Sequence, residues 1–138
     1  MKDWNELRHF AGLDWAADHH DVAVVDQQGR LVAELRIAHS AAGWAEFRNK
    51  MAAYPAWGIG LQTRSGAAVE ELLQSQGTVL PVQPKAAARY RERKAPSGVK
   101  ADQPDAWALA DALRLDGRNW RALAPEGPLI QPLRLLCR

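Results

Sequence analysis

Apolar and polar residues change rhythm several times along this chain, and each change predicts an element. Ala11–Asp14 is a short apolar run that ends on a carboxylate, and Asp21–Val25 is a second apolar run. Leu31–Ile37 alternates with the period of two that a half-buried strand requires. Between the last two runs lies Asp26-Gln27-Gln28-Gly29, a turn in which Gly29 can take a positive φ. These runs predict an antiparallel meander of three strands.

From Ser40 the period lengthens. Trp44, Phe47, Met51 and Tyr54 stand three and four apart, which predicts one apolar face of a helix running to about Ala53. Ser40 is its N-cap and Pro55 its stop, and the apolar face reads as core packing. Trp57–Leu61 reads as a buried strand. A helix capped by Ser65 runs to Gln76 and stops at Gly77. Thr78–Val82 is a further strand. A helix from about Pro84 to Arg93 has its proline where helices tolerate it, and Ala95–Gly98 is a loop. The last clear helix begins at Asp102 or Gln103, runs through Leu115 and ends near Gly117. The tail from Trp120, with Pro125, Pro128 and Pro132, is loop-like up to a helical start at Leu133. The order β-β-β-α-β-α-β-α-α predicts an α/β domain, a mixed sheet covered by helices.

Composition narrows this picture. With 138 residues, 47% hydrophobic and 25% charged, the chain suits one globular domain with a real core. The formal net charge is only +2, but it is unevenly placed. Residues 1–80 carry 7 basic and 10 acidic residues, and residues 81–138 carry 11 basic and 6 acidic. The sharpest basic stretch contains Lys85, Arg89, Arg91, Arg93, Lys94 and Lys100 with one acidic residue, Glu92. It reads either as a solvated helix face and loop or as a phosphate-contacting arm. A single cysteine, Cys137, excludes an intramolecular disulfide and a cysteine-built zinc site. The polar start has no apolar targeting core, and no apolar run approaches the roughly 20 residues that span a bilayer, so a cytoplasmic protein without membrane partners is expected. No GxGxxG follows the first strand, and neither a P-loop nor a serine nucleophile elbow is found.

The candidate chemistry lies in carboxylates. Asp14 ends an apolar strand, where a carboxylate is costly unless it is paired, hydrogen-bonded or metal-bound. Asp102 and Asp105 are three apart at a helix start and share a face. Each also has a plain structural reading, as a turn residue or as favourable charge in a first helical turn. If they converge, they form an oxygen-rich site of the kind that suits Mg²⁺ or Mn²⁺, ions able to activate water for phosphodiester cleavage. Gln62, at the end of the strand Trp57–Leu61, is neutral and a poor metal ligand. Among the histidines, His19 and His20 lie in a polar connection after the first strand. Neighbours in sequence point apart, so they are not expected to form a metal site.

Three pieces of this sequence in order, "GLDWAADHHDVAVVDQQGRLV", "WGIGLQTRSG" and "VQPKAAARYRERKAPSGVKADQPDAWALADAL", resemble the amino-terminal domain of the DEDD transposases of bacterial insertion sequences. The pattern K-x-D-x-x-D-A-x-x-L-A from Lys100 to Ala110 is the most specific part. The resemblance implies a ribonuclease-H-like fold, similar to the Holliday-junction resolvase RuvC. That fold has a mixed five-stranded sheet over residues 1–123, followed by a tail or linker-helix start over 124–138. It places the family's catalytic positions at Asp14, Gln62, Asp102 and Asp105, with the metal on the three aspartates. Gln62 stands where the family has glutamate; Ala17, Ala101 and Pro104 are further departures. The family's second domain carries a nucleophilic serine, and its members are thought to use a guide RNA. The resemblance therefore implies a DNA-binding domain for transposition and recombination, with guide RNA as a further candidate partner and homo-oligomers in the full-length enzyme. Strand cleavage by this domain alone is expected to be impaired, because Gln62 is neutral and the serine domain is not in this sequence. The alternative is a non-catalytic remnant that binds nucleic acid or a partner. A sugar-kinase-like phosphotransferase would need a second matching domain and glycine-rich phosphate loops.

Overall fold

The computed structural model describes residues 4–54, 56–63, 66–75, 77–83, 85, 87–89, 92 and 105–123. Three strands come first: β1 (His9–Trp15), β2 (His19–Asp26) and β3 (Leu31–Ala38). Helix α1 (Ala41–Met51), strand β4 (Trp57–Leu61), helix α2 (Ala67–Gln74) and strand β5 (Thr78–Pro81) follow, and helix α3 (Asp105–Asp116) comes after them. Residues 85, 87–89 and 92 are helical. The expected loop 95–98, the helix starts at Asp102 or Gln103, the stop at Pro55, the cap at Ser65 and the tail from residue 124 lie outside the described residues.

The five strands form one sheet in the order β3-β2-β1-β4-β5. β1 is antiparallel to β2, β2 is antiparallel to β3, and both β1–β4 and β4–β5 are parallel. This mixed sheet with flanking helices is the ribonuclease-H-like arrangement that the resemblance implies. The meander closes through the predicted turn, with Gly29 at φ 85°. The Asp26 carboxylate accepts from the backbone amides of Gln28 and Arg30, both at 2.9 Å. Beyond β5, Leu123 pairs with Val79 as an antiparallel bridge, its amide donating to the Val79 carbonyl at 2.7 Å.

The alternation along the strands sorts the core into two layers. Ala11, Leu13, Val22, Val24, Ile37, Ile59, Leu61 and Val79 face α1 and α2, where Trp44, Phe47, Met51, Val69 and Leu72 meet them. On the opposite face, Phe10, Val25 and Leu80 pack with Leu7 and with Ala110 and Leu113 of α3. Ser40 caps α1 as predicted, its Oγ accepting from the Gly43 amide at 3.1 Å. The helix ends at Met51, two residues short of expectation, and turns out through Ala53 and Tyr54, whose amides bond three residues back. The N-cap of α2 is Gly66 rather than the expected Ser65, and it makes no side-chain bond.

Gly12 sets the position of α3. A Cβ there would overlap the carbonyl oxygen of Ala106 and lie 2.5 Å from the amide nitrogen of Ala110. The helix thus lies directly on the backbone of β1. Farther along, Leu113 of the same helix lies over Gly60 and Gly58, near the start of β4. α3 therefore runs opposite to β1 and β4, and its first residue, Asp105, stands at their carboxyl ends.

Candidate active site

β1 and β4 pair in parallel as Ala11↔Ile59 and Gly12↔Gly60. Asp14 and Gln62 each lie two residues beyond the Gly12↔Gly60 pair, at the same end of the two strands. The sheet thus brings together the two positions expected side by side, and α3 brings Asp105 to the same end. All three are half-buried. Asp14 lies on the face of β1 that carries Gly12, which is the α3 face. Asp102 lies outside the described residues, as do Arg91, Arg93, Lys94 and Lys100. Lys85 and Arg89 are described, helical and exposed. They are four apart and so share a face, while Ala87 turns inward against Val82, Ala108, Leu109 and Ala112.

Two features of this end were missed in the sequence. The first is Asp21, which pairs directly with Asp14 across β1 and β2. Asp21 is in turn opposite Arg36 on β3, whose guanidinium holds both of its oxygens, at 2.7 and 3.1 Å. A polar row, Asp14, Asp21 and Arg36, therefore crosses three strands on the α3 face, with Gln62 just past the end of β4. The signal was present: β1 and β2 join through the short connection 16–18, and counting back along both strands from it pairs Asp14 with Asp21.

The second feature lies on the other face. His19 and His20 are not in a connection; they are the first two residues of β2 and point apart. His19 turns outward to the Asp18 carboxylate, Nδ1 to Oδ1 at 2.8 Å, and this contact holds the Asp18 carboxyl below its usual range. His20 is buried. Its Nδ1 accepts from the Ala16 amide at 3.2 Å, so that nitrogen carries no proton. Its Nε2–H then donates to Nδ1 of His39 at 2.9 Å, which leaves the proton of a neutral His39 on Nε2. Burial lowers the pKa of His20, and neighbouring His39 and His19 lower it further against the opposing pull of Asp21. The ring packs on Trp44, with centroids 5.2 Å apart.

The donor chemistry at the sheet end suits a hard divalent cation: Asp14 and Asp105 offer carboxylate oxygens and Gln62 an amide oxygen. Among the described residues, no group of three or more His, Cys, Asp or Glu is placed to hold a metal ion. Asp102, the third carboxylate that such an ion would need, lies outside the described residues.

A family model described as a transposase, of the DEDD and IS110 type, matches residues 11–138. The chain belongs to the DEDD transposase family. It is 36% identical over 141 residues to a Streptomyces coelicolor protein named as the mini-circle transposase for IS117, covering 98% of this chain and 34% of that protein. It is 34% identical over 136 residues to a transposase named y4uE of Sinorhizobium fredii, covering 94% of this chain and 38% of that one. The chain thus spans about a third of the length of these curated relatives. Among solved structures, the large terminase nuclease from thermophilic phage G20c is similar over 62% of this chain and 48% of its own, with a TM-score of 0.42 and 20% identity.

Proposed function

We propose that this domain is the metal-binding nuclease part of a DEDD transposase and acts on DNA phosphodiesters during transposition. The observation that supports the reading is the parallel pairing of β1 with β4 up to Gly12↔Gly60, two residues before Asp14 and Gln62, at the end of the sheet where α3 begins with Asp105. Asp14, Asp102 and Asp105 would hold Mg²⁺ or Mn²⁺. Such an ion lowers the pKa of bound water and stabilises a leaving oxygen. The chain's own residues position the strand: Lys85 and Arg89, continued by Arg91, Arg93, Lys94 and Lys100, contact phosphates, and the polar row orients whatever reaches the carboxylates. DNA is the proposed substrate and guide RNA a further partner. Assembly into homo-oligomers is proposed for the full-length enzyme.

Gln62 supports a second reading, a domain that binds nucleic acid without cutting it, because an amide contributes no charge to the site. A calorimetric Mn²⁺ titration of the parent chain and of Gln62→Glu tests whether these positions form one metal site, which the nuclease reading requires. Under the nuclease reading Gln62→Glu binds metal roughly tenfold more tightly, a difference of about 1.4 kcal/mol, and Asp14→Asn abolishes the gain. Equal affinities in parent and Gln62→Glu would leave the non-catalytic reading.

A further inference from the structure

On the face of the sheet opposite Asp14, a cleft of about 190 Å³ opens between the end of β1 and the start of α2. Trp15, His20, His39, Thr63, Gly66 and Ala67 line it. Trp15 is the last residue of β1 and half exposed, at 50%. Its indole therefore presents an aromatic surface to solvent at the strand end. No Lys, Arg, Asp or Glu is among the described residues lining the cleft. Its polar content is directional instead: the proton chain from Ala16 through His20 ends on Nε2–H of His39, a donor fixed by a buried partner. Gly66, at φ 114°, has open space where a side chain would stand, which leaves the wall beside it as bare backbone.

A flat aromatic platform, small apolar walls and one fixed donor suit a planar ring with acceptor atoms on its edge. We infer that this cleft seats one unstacked nucleobase of a single strand, with Trp15 as its stacking surface and His39 Nε2–H bonded to an acceptor on its edge. The inference rests on the nucleic-acid reading above and adds to it a base-binding position. Asp14 and Trp15 are consecutive on a strand, so their side chains leave on opposite faces. The end of β1 therefore acts as a divider, with the base on the α1–α2 side and its phosphodiester crossing the strand end toward the carboxylates.

The test compares a short oligothymidylate with the same sugar–phosphate backbone carrying abasic sites, using the full chain, Trp15→Ala and Trp15→Phe, in fluorescence anisotropy over a range of salt. A short duplex is titrated alongside. Trp15 is half exposed, and cooperative melting checks that both variants fold. The expected result is that the parent prefers the base-bearing strand. Trp15→Ala should lose roughly 5- to 100-fold of that affinity, the range covered by stacking one base on an aromatic ring. Trp15→Phe should keep most of it, and the salt slope should be the same in all three. A preference that survives in Trp15→Ala, or a parent that binds both strands equally, overturns the base seat while nucleic-acid binding stands. A parent that binds neither single strand also overturns it, and the duplex titration then decides whether the nucleic-acid reading falls as well.

Discussion

At the scale of single residues, His20 has the most consequential environment. In the folded chain its pKa lies below the ordinary 6.5, with burial the leading cause. The unfolded chain therefore takes up a proton more readily than the folded one as pH falls through 6.5. Stability from this residue is intact above that pH and declines below it, until the folded-state value is reached. The charged and titratable groups around it are His39, His19 and Asp21. The melting temperature is expected to fall between pH 7 and pH 5, above the range in which carboxylates titrate, and His20→Gln should flatten that fall. The variant should also lose about 0.5–1.5 kcal/mol at pH 7, the net worth of a hydrogen bond. Thermal melts across the pH series check both outcomes. This role was illegible in the sequence because the boundary of β2 decides it: a histidine pair in a connection is solvated, whereas the same pair opening a strand sends one ring inward.

At the scale of elements, strands and helices with strong periodicity were legible and their contacts were not. The alternation of Leu31–Ile37 and the spacing of Trp44, Phe47 and Met51 announce their buried faces, because one side of each element must leave water. The closeness of α3 to β1 depends instead on a missing side chain. Gly12 reads as one more small residue in an apolar run until the helix is seen resting on it. Gly12→Ala would push a methyl into two backbone groups of α3, neither of which can rotate away as a flexible side chain could. Overpacking of this kind costs about 1–3 kcal/mol, with larger values where backbone must shift. Denaturant unfolding should place Gly12→Ala at or above the top of that range. Because the shift moves the start of α3, metal affinity should fall with stability in Gly12→Ala. A core substitution remote from that start, Phe47→Ala, should cost about 3–5 kcal/mol without changing the affinity of the folded fraction. Equal metal binding by folded Gly12→Ala and parent would show that Asp105 does not depend on this contact. Of the candidate site, the strand-end carboxylate and the helix-start carboxylate could be named in advance. The Asp21–Arg36 pair could not, since it arises from cross-strand register.

Across the whole molecule, charge separates a mildly acidic first part from a basic second part. Lys85 and Arg89, exposed on one helical face, are its described representatives. Each phosphate neutralised on duplex DNA adds about 0.9 to the logarithmic salt slope. Replacing both with alanine should therefore lower the slope by about 1.8 and weaken binding to all sequences alike. An unchanged slope would assign these residues to solvent. No helix among the described residues is long and apolar enough to cross a membrane.

The two kinds of pairing made by β1 also set a timetable. Its antiparallel partner β2 begins four residues after β1 ends, whereas its parallel partner β4 begins at residue 57, beyond β3 and α1. Closing the longer loop costs more entropy before any contact repays it. In pulse-labelled refolding, amides of β1, β2 and β3 should therefore gain protection before those of β4 and β5. The meander would then exist for a time as a sheet with an open edge along β1, carrying Asp14 but not yet the strand that brings Gln62. Under the proposed nuclease reading, chemistry at the carboxylates would be the last property the chain acquires, and a partly folded molecule would have no assembled site with which to cut DNA.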